Sequence, residues 1–260
     1  MKGKEGSRRI GLARVLSKLG YCSRSRAAEL IRAGRVSVNG KILRNPESPV
    51  AGIGNQIVVD GKAVRAQQKI YLMLNKPRGV VTTASDENGR ETVYAMLREP
   101  SEAREVSPEE SLPWVAPVGR LDKASEGLLL LTNDSEWGAR IAGPETHLDK
   151  TYHVQVGTVA DDKFIDALLR GIKTEDGERL RAKQARCLRA GEKNCWLEII
   201  LDEGKNRQIR RMMEAMGVSV LRLIRIAIGP LQLGELAKGA HRTLTADEKR
   251  MLDRAMRWFQ

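Results

Sequence analysis

Apolar residues recur at Leu12, Val15, Leu16 and Leu19, a spacing of i, i+3, i+4 and i+7 that predicts a short helix with one buried face, stopped by Gly20. Ser23 or Ser25 caps a second helix with an apolar side of Ala27, Ala28, Leu30 and Ile31, ended by Gly34. Residues 35–38 then alternate as a strand does, Asn39-Gly40 predicts a type I′ turn, and Ile57-Val58-Val59 before Asp60-Gly61 predicts a later strand of the same sheet. Residues 10–61 therefore read as a small domain of two helices and a sheet. They lie between a charged, glycine-containing arm at 1–9, expected to be mobile, and a polar linker at 62–69.

From residue 70 to 260 the pattern changes. Residues 71–83 predict a strand, a break at Pro77 to Gly79 and a second strand. Residues 85–113, rich in Asp, Glu, Pro and Ser, predict a short helix around Val93 to Leu97 and a mobile loop. Four successive leucines, Leu128 to Leu131, predict a fully buried strand ended by Thr132-Asn133-Asp134. Helices are expected at 135–143, 161–170 and 207–216, and strands at 150–156, 195–201 and within 218–233. The helix at 207–216 sets Ile209, Met212, Met213 and Met216 on one face and Arg207, Arg210, Arg211 and Glu214 on the other. Thr245 with Glu248 forms a capping box for the last helix. No internal repeat occurs, and strands and helices do not alternate regularly. The fold class is α+β, with a mixed, largely antiparallel sheet and flanking helices.

Charge adds a second division. The chain carries a formal net charge of +12. Residues 1–70 hold 15 basic and 4 acidic side chains, whereas 71–260 are nearly balanced at 30 and 29. Such concentration suits a module that binds a polyanion, although a basic face also serves solubility. Lys18, Arg24, Arg26, Arg32 and Arg35 fall on and around the two predicted helices, where they are candidates for RNA phosphate contacts. The three cysteines and three histidines show no ligand-like spacing, so no metal is implied. Neither a secretory core nor a membrane-length apolar run is present, and a cytoplasmic protein is expected.

The candidate chemistry centres on Asp122, two residues after Arg120 and just ahead of the buried strand. An aspartate there can simply form a turn. Yet the stretch Gly119-Arg120-Leu121-Asp122, followed by Ser125-Glu126-Gly127-Leu128-Leu129-Leu130-Leu131-Thr132-Asn133-Asp134, resembles the active-site signature of bacterial ribosomal RNA pseudouridine synthases of the RsuA type. Residues 23–40 are similar to the S4 RNA-binding domain that precedes the catalytic domain in that family. Lys150-Thr151-Tyr152 and the run from Glu203 to Met212 match further family motifs.

The resemblance implies that Asp122 is the catalytic aspartate, that Tyr152 packs against the uracil near its C5 proton, and that Arg210 pairs with the aspartate. It further implies substrate contacts by Arg120, Ile209, Arg207 and Arg211. Turning uridine into pseudouridine breaks the N1–C1′ bond, rotates the base and joins C5 to the same sugar carbon. No outside atom enters, and no cofactor is implied. The carboxylate would act at C1′ or at C6; the residues leave both open. The Asn206 to Arg211 run and Ser125-Glu126-Gly127 look like the large-subunit (23S rRNA) branch, on naked RNA or an assembling particle, with the protein a monomer. The rival readings are a small-subunit target, a non-catalytic rRNA-binding assembly factor, and a nucleoside hydrolase, which would need a second carboxylate to place water.

Overall fold

The computed structural model describes residues 10–50, 55–84, 86, 88–97 and 112–256. The expected arm at 1–9 and most of the loop expected within 85–113 lie outside these residues. The chain divides into two compact units: the first is built on residues up to Ile70, with 112–116 and 132–135 clustering with it, and the second on the remaining residues from Tyr71 on.

In the first unit, α1 (Leu12–Lys18) and α2 (Arg24–Arg32) pack on a four-stranded antiparallel sheet of β1 (Val36–Val38), β2 (Lys41–Ile42), β3 (Ile57–Val59) and β4 (Lys62–Ala63). Ser23 caps α2, its hydroxyl accepting from the Arg26 amide at 3.1 Å. Asn39 and Gly40 both take positive φ, 50° and 80°, as the turn joining β1 to β2 requires. Leu12, Leu16, Ile31, Val36, Ile57 and Val59 form the core; burying each such side chain contributes roughly 1.5–3 kcal/mol. Strand β4 falls inside the stretch read from sequence as linker.

In the second unit, the main path of the sheet among the described residues runs through seven strands. In chain order they are β5 (Tyr71–Lys76), β6 (Glu126–Thr132), β7 (Lys150–Val156), β8 (Gln184–Ala190), β9 (Cys195–Leu201), β10 (Val220–Ile228) and β11 (His241–Thr243); in space the order is β8-β9-β7-β10-β6-β5-β11. Most pairings are antiparallel; β10 with β6 is parallel. Helices α3 (Ser135–Ala142), α4 (Asp162–Arg170), α5 (Gln208–Ala215) and α6 (Ala246–Ala255) flank it. Leu168 of α4 and Ile209, Met212 and Met213 of α5 pack on Val154, Leu197 and Ile199. All seven residues of β6 are buried, so its leucine run is apolar on both faces.

One glycine is decisive. Gly127 takes φ +101°, and a Cβ there would lie 2.2 Å from the Arg225 carbonyl oxygen. Only a residue without a side chain lets β6 meet β10. The Asp122 loop is thereby delivered against the strand that carries Arg225.

Two expectations are corrected. The second strand predicted after Gly79 does not form: Val81 makes only an isolated bridge to Thr92, and the Thr82 hydroxyl bonds instead to Leu121. The helix predicted near Val93 to Leu97 is a single 3₁₀ turn, Ala95–Leu97. Strand β8 was not predicted, because its largely exposed edge residues carry little alternation.

Candidate active site

The loop 121–125 is fastened from below by backbone and side-chain bonds. Thr82 Oγ1 donates to the Leu121 carbonyl at 2.8 Å, the Gly79 amide to the Lys123 carbonyl at 2.8 Å, and the Ser125 amide to the Asp122 carbonyl at 3.0 Å. Beneath it Lys76, wholly buried at the end of β5, spends its three ammonium hydrogens on the carbonyls of Pro77 (3.0 Å), Asp122 (3.1 Å) and Ser125 (2.9 Å). Burial pulls the Lys76 ammonium down to about 8, with the carboxylates of Asp122 and Glu126 acting against that shift. Glu126, at the start of β6, is also buried, which raises its pKa, but its bonds to Arg222 and Lys238 outweigh this and leave it below the usual carboxylate range.

Above the loop, Asp122 Oδ2 stands 3.6 Å from Arg207 Nη1 and 4.0 Å from Arg210 Nε. Arg210 is itself steadied by a 3.0 Å bond from Nη2 to the Ala124 carbonyl. Burial lowers its pKa first, and the neighbouring cations Arg207 and Arg78 add to that while Asp122 opposes it. Arg207 enters α5 from a left-handed backbone conformation, φ 48°.

Asp122 lines a cavity of about 170 Å³ whose walls include Arg120, Tyr152, Ile209 and Arg210. Arg120 is exposed, Tyr152 half-buried and Ile209 buried. A second cavity, sharing Arg120, Leu121 and Asp122, opens toward Thr82, Arg90 and Asn206. Arg211 is not brought to either; it pairs with Asp176 at 2.6 Å and Glu178 at 2.8 Å. In the first unit Lys18, Arg24, Arg26, Arg32 and Arg35 are all exposed. Arg26 pairs with Glu29 at 2.9 Å, and Arg35 makes two bonds to Asp60 at 2.7 and 2.5 Å. Among the described residues no group of three or more His, Cys, Asp or Glu could hold a metal ion, and no helix is long and apolar enough to cross a membrane.

The arrangement is the Asp122 carboxylate held near two guanidiniums beside a small cavity whose walls include the Tyr152 ring, the Glu203 carboxylate and several aliphatic side chains, Ile209 among them. The family model described as RNA pseudouridylate synthase matches residues 70–215, and that of the S4 domain matches residues 10–57. The chain belongs to the RNA pseudouridine synthase family. It is an isomerase that turns uridine into pseudouridine. This synthase is 36% identical to the ribosomal large subunit pseudouridine synthase B of Bacillus subtilis, over 93% of its own length and 94% of the relative's. It is 38% identical to an RNA pseudouridine synthase of Aquifex aeolicus, over 95% of each chain. A crystal structure of a pseudouridylate synthase superposes with a TM-score of 0.62 at 28% identity, covering 94% of this chain and 99% of that one.

Among the polar residues in or beneath this cavity to which the sequence assigns no role are Lys76, Lys150, Gln208 and Arg225. All but Lys76 line the cavity. Each is nearly or wholly buried despite being polar. Burial also lowers the pKa of Lys150, and the adjacent Arg225 lowers it further. One signal was available: Leu72, Leu74 and Lys76 share a strand face, and a lysine in that series implies a buried, paired ammonium.

Proposed function

We propose that this protein isomerises one uridine of large-subunit (23S) ribosomal RNA, with Asp122 as the catalytic carboxylate. The observation that carries the catalytic assignment is the carboxylate of Asp122, set between Arg207 and Arg210 beside a cavity lined by Tyr152 and Ile209. Either chemistry requires the carboxylate ionised, and both guanidiniums stand within 4.0 Å of its Oδ2. Acting at C1′, the carboxylate oxygen replaces N1 and the bonding pair leaves with the base; acting at C6, it adds to the ring before the glycosidic bond breaks. In both cases C5 then bonds to C1′, the bond from Asp122 breaks with its electron pair returning to the carboxylate (displaced from C1′ by C5, or expelled from C6), the C5 proton departs and N1 gains one.

The other residues take roles that follow from position. Tyr152 offers a face for the extruded base, as enzymes that work on a base inside structured nucleic acid must provide. Ile209 closes the pocket beside it. Arg120 and Arg207, both exposed at the rim, meet the flanking phosphates. The exposed residues Lys18, Arg24 and Arg32 of the first unit engage the RNA electrostatically, with Arg26 and Arg35 partly neutralised by Glu29 and Asp60. The large-subunit assignment draws on the name of the Bacillus subtilis relative, which aligns along nearly the whole chain. The protein acts as a monomer in the cytoplasm, on naked RNA or on an assembling particle.

The test is release of tritium from rRNA labelled at uracil C5. Release by the wild-type protein from large-subunit RNA, without free uracil, is the expected result. Free uracil would identify a hydrolase. Release from small-subunit RNA alone would reverse the target assignment, and no release from either RNA, naked or in particles, would identify a binder without catalysis.

A further inference from the structure

Among the described residues, four buried side-chain polar atoms lack a hydrogen-bond partner: Ser125 Oγ, Gln208 Oε1, Arg210 Nε and Arg225 Nη2. All four belong to residues that line the cavity beside Asp122. Folded proteins leave few such atoms unsatisfied, and four of them on residues of one cavity call for an explanation there. Arg210 Nε already faces Asp122, and a serine hydroxyl can rotate. Gln208 and Arg225 remain.

Both are held in one orientation. Gln208 Nε2 donates to the Arg181 carbonyl at 3.0 Å and to Glu203 Oε1 at 2.6 Å. Flipping the amide would set its oxygen against two other oxygens, so Oε1 is fixed as the unused acceptor. Arg225 Nε donates to the Leu128 carbonyl at 2.7 Å, which pins the guanidinium and leaves Nη2 as the unused donor. Arg225 stands directly across the β7–β10 pair from Tyr152, and Gln208 lines the same cavity as Ile209. The acceptor and the donor therefore flank the two side chains assigned to the base.

Uracil presents an acceptor, a donor and an acceptor along one edge: O2, N3–H and O4. We propose that Gln208 and Arg225 read this edge, Gln208 Oε1 accepting from N3–H and Arg225 Nη2 donating to one of the two flanking carbonyl oxygens. The assignment rests on the synthase reading of the Asp122 site. It makes the pair the determinant of base identity, because cytosine has a lone pair at N3 and would set acceptor against acceptor. It also gives Arg225 a part in the reaction. When N1 parts from C1′ with the bonding pair, the negative charge spreads onto O2 and O4, where a fixed guanidinium stabilises it.

The test pairs a protein change with a base change. A synthetic RNA spanning the mapped target uridine is prepared with uridine, 3-methyluridine, 2-thiouridine or 4-thiouridine at that position. Isomerisation is followed under single-turnover conditions by chromatography of the digested nucleosides. The wild-type protein should lose roughly a hundredfold or more with 3-methyluridine, and Gln208→Ala, which removes the acceptor and makes room, should shrink that penalty to less than about tenfold. Equal penalties in the two proteins would overturn the Gln208 assignment. One thio substitution should slow the wild-type several-fold and leave Arg225→Met no slower than it is with uridine; equal effects in both proteins would overturn the Arg225 assignment. RNA affinity within about threefold of wild-type certifies that the variants are folded, since phosphate contacts dominate it. Should Gln208→Ala unfold, Gln208→Met replaces it. Wild-type inactivity on the uridine RNA would instead overturn the parent reading.

Discussion

Lys76 Nζ lies 3.1 Å from the carbonyl oxygen of Asp122, and the Lys76 side chain is wholly buried. Two more carbonyls, of Pro77 and Ser125, complete its shell. An ammonium so placed fixes the backbone on which the Asp122 side chain is mounted. Lys76→Met leaves three carbonyls short of a donor, a loss of about 1–3 kcal/mol that relief of the buried charge partly offsets. The expected outcome is a modest fall in thermal midpoint with a larger fall in single-turnover rate, read by calorimetry and by tritium release.

The same lysine predicts a pH dependence. Its pKa is pushed from 10.5 down to about 8, so above pH 8 the folded protein sheds this proton while the unfolded chain keeps it until about pH 10.5. Across that window the unfolded state binds more protons, and the contribution of Lys76 to stability rises with pH. The clamp itself weakens, because the neutral amine has one donor fewer. Activity should therefore decline as pH passes 8 without a matching loss of stability from this group. The decline should be missing from the pH–rate profile of Lys76→Met; an identical limb in both proteins would assign it elsewhere.

At the carboxylate, Asp122→Asn keeps the shape and removes the charge. Isomerisation should vanish while RNA affinity stays within a few-fold, since one carboxylate among many phosphate contacts matters little to binding. Arg210→Gln should lower the rate by about a hundredfold, because the aspartate loses its less exposed guanidinium partner and Ala124 its donor. An Asn variant that still releases tritium would remove Asp122 from its role.

How far the sequence reached depends on whether a feature is local. The leucine run of β6, the alternation of β7 and β9, and the capping box of α6 are written in neighbouring residues, and each formed where expected. The motif of α5 located Arg210 but also suggested Arg211. One residue is about 100° of helix, and that rotation sends Arg211 to Asp176 and Glu178 rather than to the cavity. Lys76 is not legible as a clamp in the sequence, because two of its three acceptors, the carbonyls of Asp122 and Ser125, lie far along the chain. Gln208 and Arg225 were passed over for a like reason: what distinguishes them is an atom left without a partner, which only the folded chain reveals.

Gly127 tests how the site is assembled. A methyl group at this position would meet the Arg225 carbonyl at 2.2 Å, and φ +101° is unfavourable for any side chain. Gly127→Ala should destabilise the protein by roughly 2–4 kcal/mol through strain and a forced separation of β6 from β10. Because the same shift moves Arg225, the rate measured well below the melting temperature should fall as well. A variant with wild-type stability would show that the two strands do not need this close approach.

The basic first unit predicts a salt effect. Nearly all the excess positive charge of the chain lies in residues 1–70, and Arg24 and Arg32, at the two ends of α2, are both exposed. If these side chains displace counterions from RNA phosphates, the logarithm of affinity falls linearly with the logarithm of salt, at about 0.7–0.9 per phosphate neutralised. Removing residues 1–61 should weaken rRNA binding and lower that slope by several units. The substitutions Arg24→Gln and Arg32→Gln together, both at exposed positions, should lower it by about 1.4–1.8. Filter-binding titrations between low and physiological salt measure both. A slope unchanged in the double variant would mean that Arg24 and Arg32 do not touch phosphate, and a slope unchanged on removal of residues 1–61 would mean that the charge of the first unit serves solubility.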